Sequence, residues 1–341
     1  MTLWLVGVAT GCVCGGDPNE EIPMPPPAFV KGADISWVTE QEAKGLTFRN
    51  NKGKAMECTA LMKELGMEAI RLRVWVDPAK GWNGTEDVVE KALRAQRLGM
   101  KLMIDFHYSH TWADPGSQHV PPQWAHRDLE GLCEAMAKHT REVLESLKEQ
   151  GVEVTWVQVG NETNPGMMHP VGRITHDGAN YAKLTTAGYR AVKSVYPHAV
   201  VIVHLSSGAD YALYNYVFDY LTRHNAQYDM IGMSLYPSPD NWHVEAANCM
   251  RNLTMVASKY GKPVMICEVG MSYDRAEECR DFLAYMLDQG RNHTDGRCKG
   301  VFYWEPQAPP HYNGGYTKGC FLNGRPTIAL EPFSHSRQIS F

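Results

Sequence analysis

From residue 30 onward the chain alternates short apolar runs, rich in β-branched residues, with longer stretches whose apolar positions recur at helical spacing. Runs of the first kind read as buried parallel strands, and stretches of the second as the helices that cross over between them. The strands fall at Val30 to Trp37, Glu68 to Trp75, Lys101 to Phe106, Val154 to Val159, Val200 to His204, Met230 to Leu235, Val264 to Glu268 and Gly300 to Trp304. Helices fill the gaps at Lys54 to Leu65, Glu86 to Leu98, Leu129 to Gln150, Tyr181 to Val195, Tyr211 to His224, Val244 to Tyr260 and Asp274 to Gln289, with a weakly marked eighth near Thr327 to Phe333. Gly99, Gly151, Gly261 and Gly290 each follow a helical run, where a left-handed C-cap favours a residue without Cβ. Eight such pairs in succession predict an α/β fold, a single (β/α)8 TIM barrel, whose functional residues gather at the C-terminal ends of the strands. A doubly wound open sheet is the rival, but no G-x-G-x-x-G follows an early strand.

Residues 1–29 break the pattern. An apolar run, Met1 to Val13, leads into the acidic, proline-rich stretch "GGDPNEEIPMPPP", which reads as an extended linker outside a catalytic domain spanning 30–341. Within the run, "ATGC", Ala9 to Cys12, resembles a bacterial lipobox. On that reading Cys12 is a lipid anchor and the protein is exported, as a membrane-attached cell-surface lipoprotein or in secreted form. The basic segment that normally precedes such a run is missing, which leaves a simple tail as the other reading. No later segment approaches the roughly 20 apolar residues of a spanning helix.

Composition narrows the chemistry. With 341 residues and 44% apolar content the chain can bury a full core, and a formal charge of -5 without a Lys or Arg cluster excludes nucleic acid as a partner. The nine Cys contain no C-x-x-C pair, which disfavours zinc and a dense disulfide framework. A single Cys279 to Cys298 bridge is the one pairing considered, while Cys267 reads as a small hydrophobe in a strand. Nine Trp and sixteen Tyr point toward carbohydrate, because sugar rings present flat C–H faces to aromatic rings.

In the expected barrel the polar residues at the strand ends are Asp34 with Trp37, Arg71 with Arg73, Asp105 with His107, Asn161 with Glu162, His204, Tyr236, Glu268, and Trp304 with Glu305. Glu162 and Glu268 follow strands 4 and 7 and so face each other across the barrel mouth, the arrangement of a two-carboxylate glycosidase. One must stay protonated to release the leaving group while the other stays charged to attack, and Arg71 is the natural holder for Glu268. Either Glu alone is equally a strand-end salt-bridge residue; their joint placement with Asn161 sets them apart. Asn161 is suited to a sugar 2-hydroxyl and Trp304 to the floor of the site. "DFHYSHTW" gives His107 and His110 no helical face and no third ligand, so His107 reads as a hydrogen-bonding residue, with no metal or cofactor expected.

The strings "GADISWV", "RLRVWVDP", "DFHYSHTWADPGSQ", "VQVGNE", "SLYP", "CEVG" and "GVFYWEP" occur in an order that resembles glycoside hydrolase family 53, the endo-β-1,4-galactanases, over about residues 30–335. The resemblance implies a retaining, endo-acting hydrolase of β-1,4-galactan or arabinogalactan, with Glu162 as general acid/base and Glu268 as nucleophile; a monomer is the expected state. It implies supporting or sugar-binding roles for Asp34, Arg71, His107, Trp112, Asn161, His204, Tyr236 and Trp304, with Tyr236 donating to the nucleophile. The chain departs from the family pattern at His110, His169, Ser206 and Ala308, where acids or tryptophans are usual, which affects the outer sugar sites. The calcium loop of some bacterial members is also missing after strand 7, where "GMSYDRAEECRDF" runs straight into a helix. Another β-1,4-linked polysaccharide as substrate, and a noncatalytic glycan-binding lipoprotein of the same fold, remain as alternatives.

Overall fold

The computed structural model describes residues 29–175 and 179–334. Eight parallel strands close into one barrel: β1 (Val30–Asp34), β2 (Ala69–Val74), β3 (Lys101–Phe106), β4 (Trp156–Val159), β5 (Val200–Leu205), β6 (Met230–Leu235), β7 (Val264–Val269) and β8 (Cys298–Trp304). Closure comes from β1, which pairs with β2 on one side and β8 on the other. Helices α1 (Cys58–Glu64), α2 (Thr85–Arg97), α3 (Leu129–Glu149), α4 (Asn180–Val195), α5 (Tyr211–Arg223), α6 (Trp242–Tyr260) and α7 (Ala276–Asn292) follow the strands in turn. The expected TIM barrel is therefore observed.

Period-two alternation divides each strand between two cores. On β2, Ile70, Leu72 and Val74 pack outward against the helices, while Ala69 joins a lumen plug with Met103, Trp156, Ile202, Met265 and Phe302. Gly32 leaves room for the Phe302 ring, which a Cβ there would strike. Above this plug the lumen positions turn polar: Asp34, Arg71, Arg73, Asp105, Gln158 and His204 are all buried.

Strand β7 breaks the alternation. Met233 is opposite Ile266 but Ser234 is opposite Glu268, and on the other side Ile266 and Val269 meet Val301 and Tyr303. One extra residue on β7 is a bulge, which re-aims a side chain. Cys267 therefore joins the lumen plug, and Glu268, the next residue, turns to the barrel mouth as well.

Several expected boundaries shift for local reasons. The first helix begins at Cys58 rather than Lys54, because Ala55–Met56 pair with Phe48–Arg49 in a small hairpin and Glu57 caps the helix through Thr59 N and Ala60 N. Gly99, Gly151 and Gly261 adopt positive φ as expected, but Gly290 lies inside α7, where a Cβ would come 2.9 Å from the Phe29 ring. The eighth helix is split into a 3-10 turn, Ile328–Leu330, and a short turn, Glu331–Ser334.

The Cys279 to Cys298 bridge does not form. Both thiols are free and buried, with Cys298 Sγ on Gly300 O at 3.6 Å and Cys279 Sγ on Tyr303 Oη at 3.8 Å. The lipobox and Cys12 lie outside the described residues. Among the described residues no helix is long and apolar enough to cross a membrane.

Candidate active site

The C-terminal mouth of the barrel holds a cleft of about 460 Å³ lined by Trp37, His107, Trp112, Asn161, Glu162, Tyr236, Glu268 and Trp304, together with Asn313, Tyr316 and Lys318. A second cavity of about 580 Å³ continues from it, sharing Glu162 and Tyr236 and adding Ser206, Ser207, Asp210 and Glu245.

Arg71 organises one wall. Its Nη1 donates to Asp34 at 2.7 Å and its Nε to Gln158 Oε1 at 2.6 Å. Its Nη2 faces Asp105 at 2.9 Å, Asn161 Oδ1 at 2.9 Å and Glu268 Oε1 at 2.8 Å. Three carboxylates thus share one guanidinium, an excess of negative charge that opposes full ionisation. Burial opposes ionisation of Asp105, yet Arg71 and His107 hold it below the usual carboxylate range.

Glu268 is 5% exposed, and its second oxygen accepts a 2.6 Å hydrogen bond from the Tyr236 phenol. Burial pushes Glu268 up to about 7 against the pull of Arg71 and Tyr236, with Asp105 and Asp34 adding to the rise. Glu162 has no comparable ion pair. Burial and then the charge of Glu268 push it up to about 8. The two carboxyls titrate as a pair in which Glu268, held by a guanidinium and a phenol, gives up its proton first and Glu162 keeps the last one.

The backbone at Glu162 is held in a form that L residues rarely adopt, with φ at 45°. Gln118 Nε2 donates to the Asn161 carbonyl at 2.8 Å, Thr163 N donates to the His204 carbonyl at 2.9 Å, and Asn164 N donates to the Glu162 carbonyl at 2.8 Å. Tyr108 and Glu305, past the ends of β3 and β8, share this left-handed geometry, with φ at 51° and 50°.

The aromatic wall is built on Arg73. Trp37 meets Trp112, Trp304 and Tyr316 with centroids 5.7, 5.3 and 5.3 Å away, and the Tyr316 phenol donates to the Trp304 carbonyl at 2.6 Å. Beneath them the Arg73 guanidinium lies 5.1, 5.5 and 4.5 Å from the rings of Trp37, Trp75 and Trp112. Its nearer ionic partner is Glu305, 2.5 Å from Nη1, which also accepts from Trp37 N and Gln307 Nε2, and Asp34 Oδ1 lies 3.9 Å from the same nitrogen. Burial pushes Glu305 up to about 7, and Arg73 opposes that rise.

The sequence-derived candidates among the described residues all gather at this mouth, but at different depths. His107, Trp112, Asn161, Tyr236 and Trp304 line the cleft with the two glutamates, whereas Asp34, Arg71 and His204 lie beneath it, essentially sealed from solvent. His107 Nδ1 accepts from Trp75 Nε1 at 3.2 Å and Ala113 N at 3.1 Å, so Nε2 carries the hydrogen that Asp105 receives at 3.0 Å. Both ring nitrogens are therefore engaged. Among the described residues no group of three His, Cys, Asp or Glu side chains is placed to hold a metal ion.

Of the departures from the family pattern, Ser206 lines the second cavity and His110 is exposed, while Ala308 is buried among Trp37 and Tyr312. His169 contacts the Pro165 carbonyl and Arg173 rather than the cleft. Sequence reasoning missed Ser234, Tyr316 and Lys318. Ser234 sits in an apolar strand, and the other two lie in a loop without periodicity.

Comparison with known proteins agrees with this geometry. Residues 30–325 match the family described as Glycosyl hydrolase family 53. The endo-beta-1,4-galactanase of Bacillus subtilis is 32% identical over 311 residues, covering 83% of this chain and 71% of the relative. Arabinogalactan endo-beta-1,4-galactanase A of Emericella nidulans is 31% identical over 302 residues, covering 81% and 84%. Among solved structures, a fungal beta-1,4-galactanase superposes with a TM-score of 0.83 at 26% identity, covering 89% of this chain and 98% of the other. The family 53 catalytic domain of Ignisphaera aggregans gives 0.80 at 25%, covering 91% and 97%. With a barrel, a paired-carboxylate cleft and a family match across most of its length, the chain belongs to glycosyl hydrolase family 53.

Proposed function

We propose that this protein is a retaining, endo-acting β-1,4-galactanase in which Glu268 is the nucleophile and Glu162 the general acid/base. The observation that carries the assignment is the unequal treatment of two carboxyls in one cleft. Glu268 has a guanidinium at 2.8 Å and a phenol at 2.6 Å, whereas Glu162 is desolvated beside that charge. A group held charged is suited to attack, and a group kept protonated is suited to release a leaving group.

In the first step a Glu268 oxygen bonds to the anomeric carbon as the glycosidic C–O bond breaks, and the departing oxygen takes the Glu162 proton. In the second, Glu162, now a carboxylate, removes a proton from water as that water displaces Glu268 from the sugar. Two displacements at one carbon retain its configuration. Asn161, whose amide faces the cleft, meets the sugar 2-hydroxyl, and Trp304 with Trp37 and Trp112 packs against the sugar face. The second cavity beyond Glu162 leaves room for sugar on both sides of the scissile bond, which supports endo action. The family relatives named for galactan supply the substrate class.

Nucleophile trapping tests the roles. Glu268→Gly should lose hydrolysis by about 10⁴-fold or more, and azide should restore turnover with an inverted product. Azide rescue of Glu162→Ala with inversion would instead exchange the two roles. A product time course on linear β-1,4-galactan, beside other β-1,4-linked polysaccharides, tests substrate and mode together. Early long oligomers mark endo action, and early mono- or disaccharides would overturn it. Export through acylation of Cys12 is proposed on the lipobox alone; fatty-acid labelling that persists in Cys12→Ser would overturn it.

A further inference from the structure

Two arginines lie beneath the cleft, and buried carboxylates neutralise both: Asp34, Asp105 and Glu268 at Arg71, and Glu305 at Arg73. The cleft wall holds a cation of another kind. Among the described residues that line it, Lys318 is the single Lys or Arg. Its side chain is half buried, and among the described residues its ammonium has no hydrogen-bond acceptor and no carboxylate within 4.0 Å. It lies 5.7 Å from the centre of the Tyr236 ring.

The backbone that carries Lys318 is fixed on several sides. Positive φ at Asn313, Gly314 and Gly315 turns the chain after β8 back on itself, and His311 N donates to the Tyr316 carbonyl at 2.7 Å across the turn. Beyond it, Tyr273 N donates to the Thr317 carbonyl at 2.8 Å, the Tyr303 phenol to the Lys318 carbonyl at 2.7 Å, and Cys320 N to the Pro306 carbonyl at 2.7 Å. A Cβ on Gly319 would strike the Ala308 carbonyl, so the chain seats close there. The stem is guided as well. A Cβ on Gly270, just past β7, would come 2.9 Å from the Tyr236 ring and 3.4 Å from Lys318 Cβ, so the bare glycine leaves room for both side chains.

An ammonium carries three donors, and drawing it halfway out of water without a partner costs free energy until an oxygen is supplied from outside. We infer that Lys318 is a specificity-determining residue that donates to a hydroxyl of the sugar resting on the Trp304 platform. The inference rests on the reading of the cleft as a galactanase site and deepens it. Tyr316, two residues earlier, donates to the Trp304 carbonyl at 2.6 Å and stacks its ring edge-on 5.1 Å away, which ties the segment to the platform. Lys318 lines the first cleft and not the second cavity, so it serves the platform side of Tyr236. A neutral hydroxyl suits the place better than a carboxylate. Three carboxylates already share Arg71, and Asp114 adds its charge to the cleft lining, so an anionic sugar would be repelled.

The test is steady-state hydrolysis of linear β-1,4-galactan by the wild type, Lys318→Met and Lys318→Arg, with thermal unfolding to show that each variant is folded. Lys318→Met keeps the stem and deletes the charge. It should raise KM by about tenfold, the worth of a hydrogen bond from a charged donor, and change kcat by no more than about twofold, because the contact is made equally before and during cleavage. Lys318→Arg keeps a charged donor and should regain most of that loss. Lys318→Gln, also uncharged, keeps the test open should the Met variant fail to fold. An unaltered KM in Lys318→Met would overturn the inference, and so would an equal loss in the Met and Arg variants, the mark of a packing role. Both limbs of kcat/KM against pH should stay in place. An acid limb moved upward in Lys318→Met would mean that the ammonium acts on the charge of Glu268 instead of on the sugar, which also overturns it. The two levels of argument fail separately: no turnover of galactan by the wild type would overturn the galactanase reading and the inference with it, whereas turnover with an unaltered KM in Lys318→Met overturns the inference alone.

Discussion

Arg71 and Arg73 stand two residues apart on β2, point into the same barrel and are both about 1% exposed, yet their surroundings differ in kind. Arg71 is surrounded by oxygen: Asp34, Asp105, Glu268, Asn161 and Gln158 engage each of its three nitrogens. Arg73 has one close carboxylate, Glu305, and its Nε and Nη2 find no hydrogen-bond partner, lying instead among three indole rings. A guanidinium in the first setting sets the charge state of reacting groups, whereas one in the second holds a platform in place through cation–π attraction. On the proposed mechanism, the same residue type on the same strand face would serve the chemical step in one place and sugar binding in the other.

The largest expected effect breaks this comparison most directly. Arg71→Lys keeps a charge but loses the planar fork that reaches several oxygens at once, and should lower kcat by about 10² to 10³-fold. Arg73→Lys keeps the pairing with Glu305 but loses the flat contact with the rings, and should raise KM by about tenfold with little change in kcat. Steady-state kinetics on linear galactan decide between them. An equal fall in kcat for both variants would mean that the two arginines do one job.

Next in size is Tyr236→Phe, which should lower kcat by about ten- to a hundredfold, the worth of a hydrogen bond to a charged group. Its pH signature has a definite sign. The phenol donates to the charged form of Glu268, so its loss favours the protonated form and raises a pKa already pushed up to about 7. The acid limb of kcat/KM should therefore move upward. Glu305→Gln, on the Arg73 side, should leave both limbs in place, raise KM about threefold and cost about 3 kcal/mol of stability in chemical denaturation, as expected when a buried ion pair loses one partner. A limb that moved in Glu305→Gln would mean that the platform also controls the charge of the catalytic pair.

How much of this was legible in the sequence follows the same divide. The barrel could be read because Val, Ile and Leu fill the strand bodies, and Glu162, Glu268 and Arg71 could be read because polar residues contrast with those runs. Arg73 was visible at its strand end, but its role depends on rings brought in by three separate loops. Ser234 opens the string "SLYP" but drew no role from the sequence, since a serine inside "MIGMSL" is an ordinary strand residue until its 2.7 Å contact with His204 is seen. The bulge was equally hidden. Strict alternation would put Cys267 and Glu268 on opposite faces, and only the pairing on both sides of β7 shows the extra residue that brings them to the same one. Likewise the helix expected from Lys54 gives way to a hairpin because Phe48–Arg49 finds Ala55–Met56, a tertiary choice that helical periodicity cannot reveal.

The smallest effect tests whether the two arginine centres are coupled at all. Asp34 lies 2.7 Å from Arg71 and 3.9 Å from Arg73, and Trp75 offers a second, longer route: its ring lies 5.5 Å from the Arg73 guanidinium, and its Nε1 donates to His107 Nδ1, whose other nitrogen reaches Asp105 and through it Arg71. Trp75→Phe keeps an aromatic face for Arg73 but deletes the donor. His107 Nδ1 still accepts from Ala113 N at 3.1 Å, so the ring should keep its orientation and Asp105 its partner. The lost bond is neutral and has a remaining substitute, which limits the change in kcat to about threefold or less, with KM changed no more. A double-mutant cycle with Tyr236→Phe sharpens the point, because independent centres give additive effects within about 0.5 kcal/mol. A larger coupling energy would show that the platform and the charge network act as one unit, with Trp75 as a link.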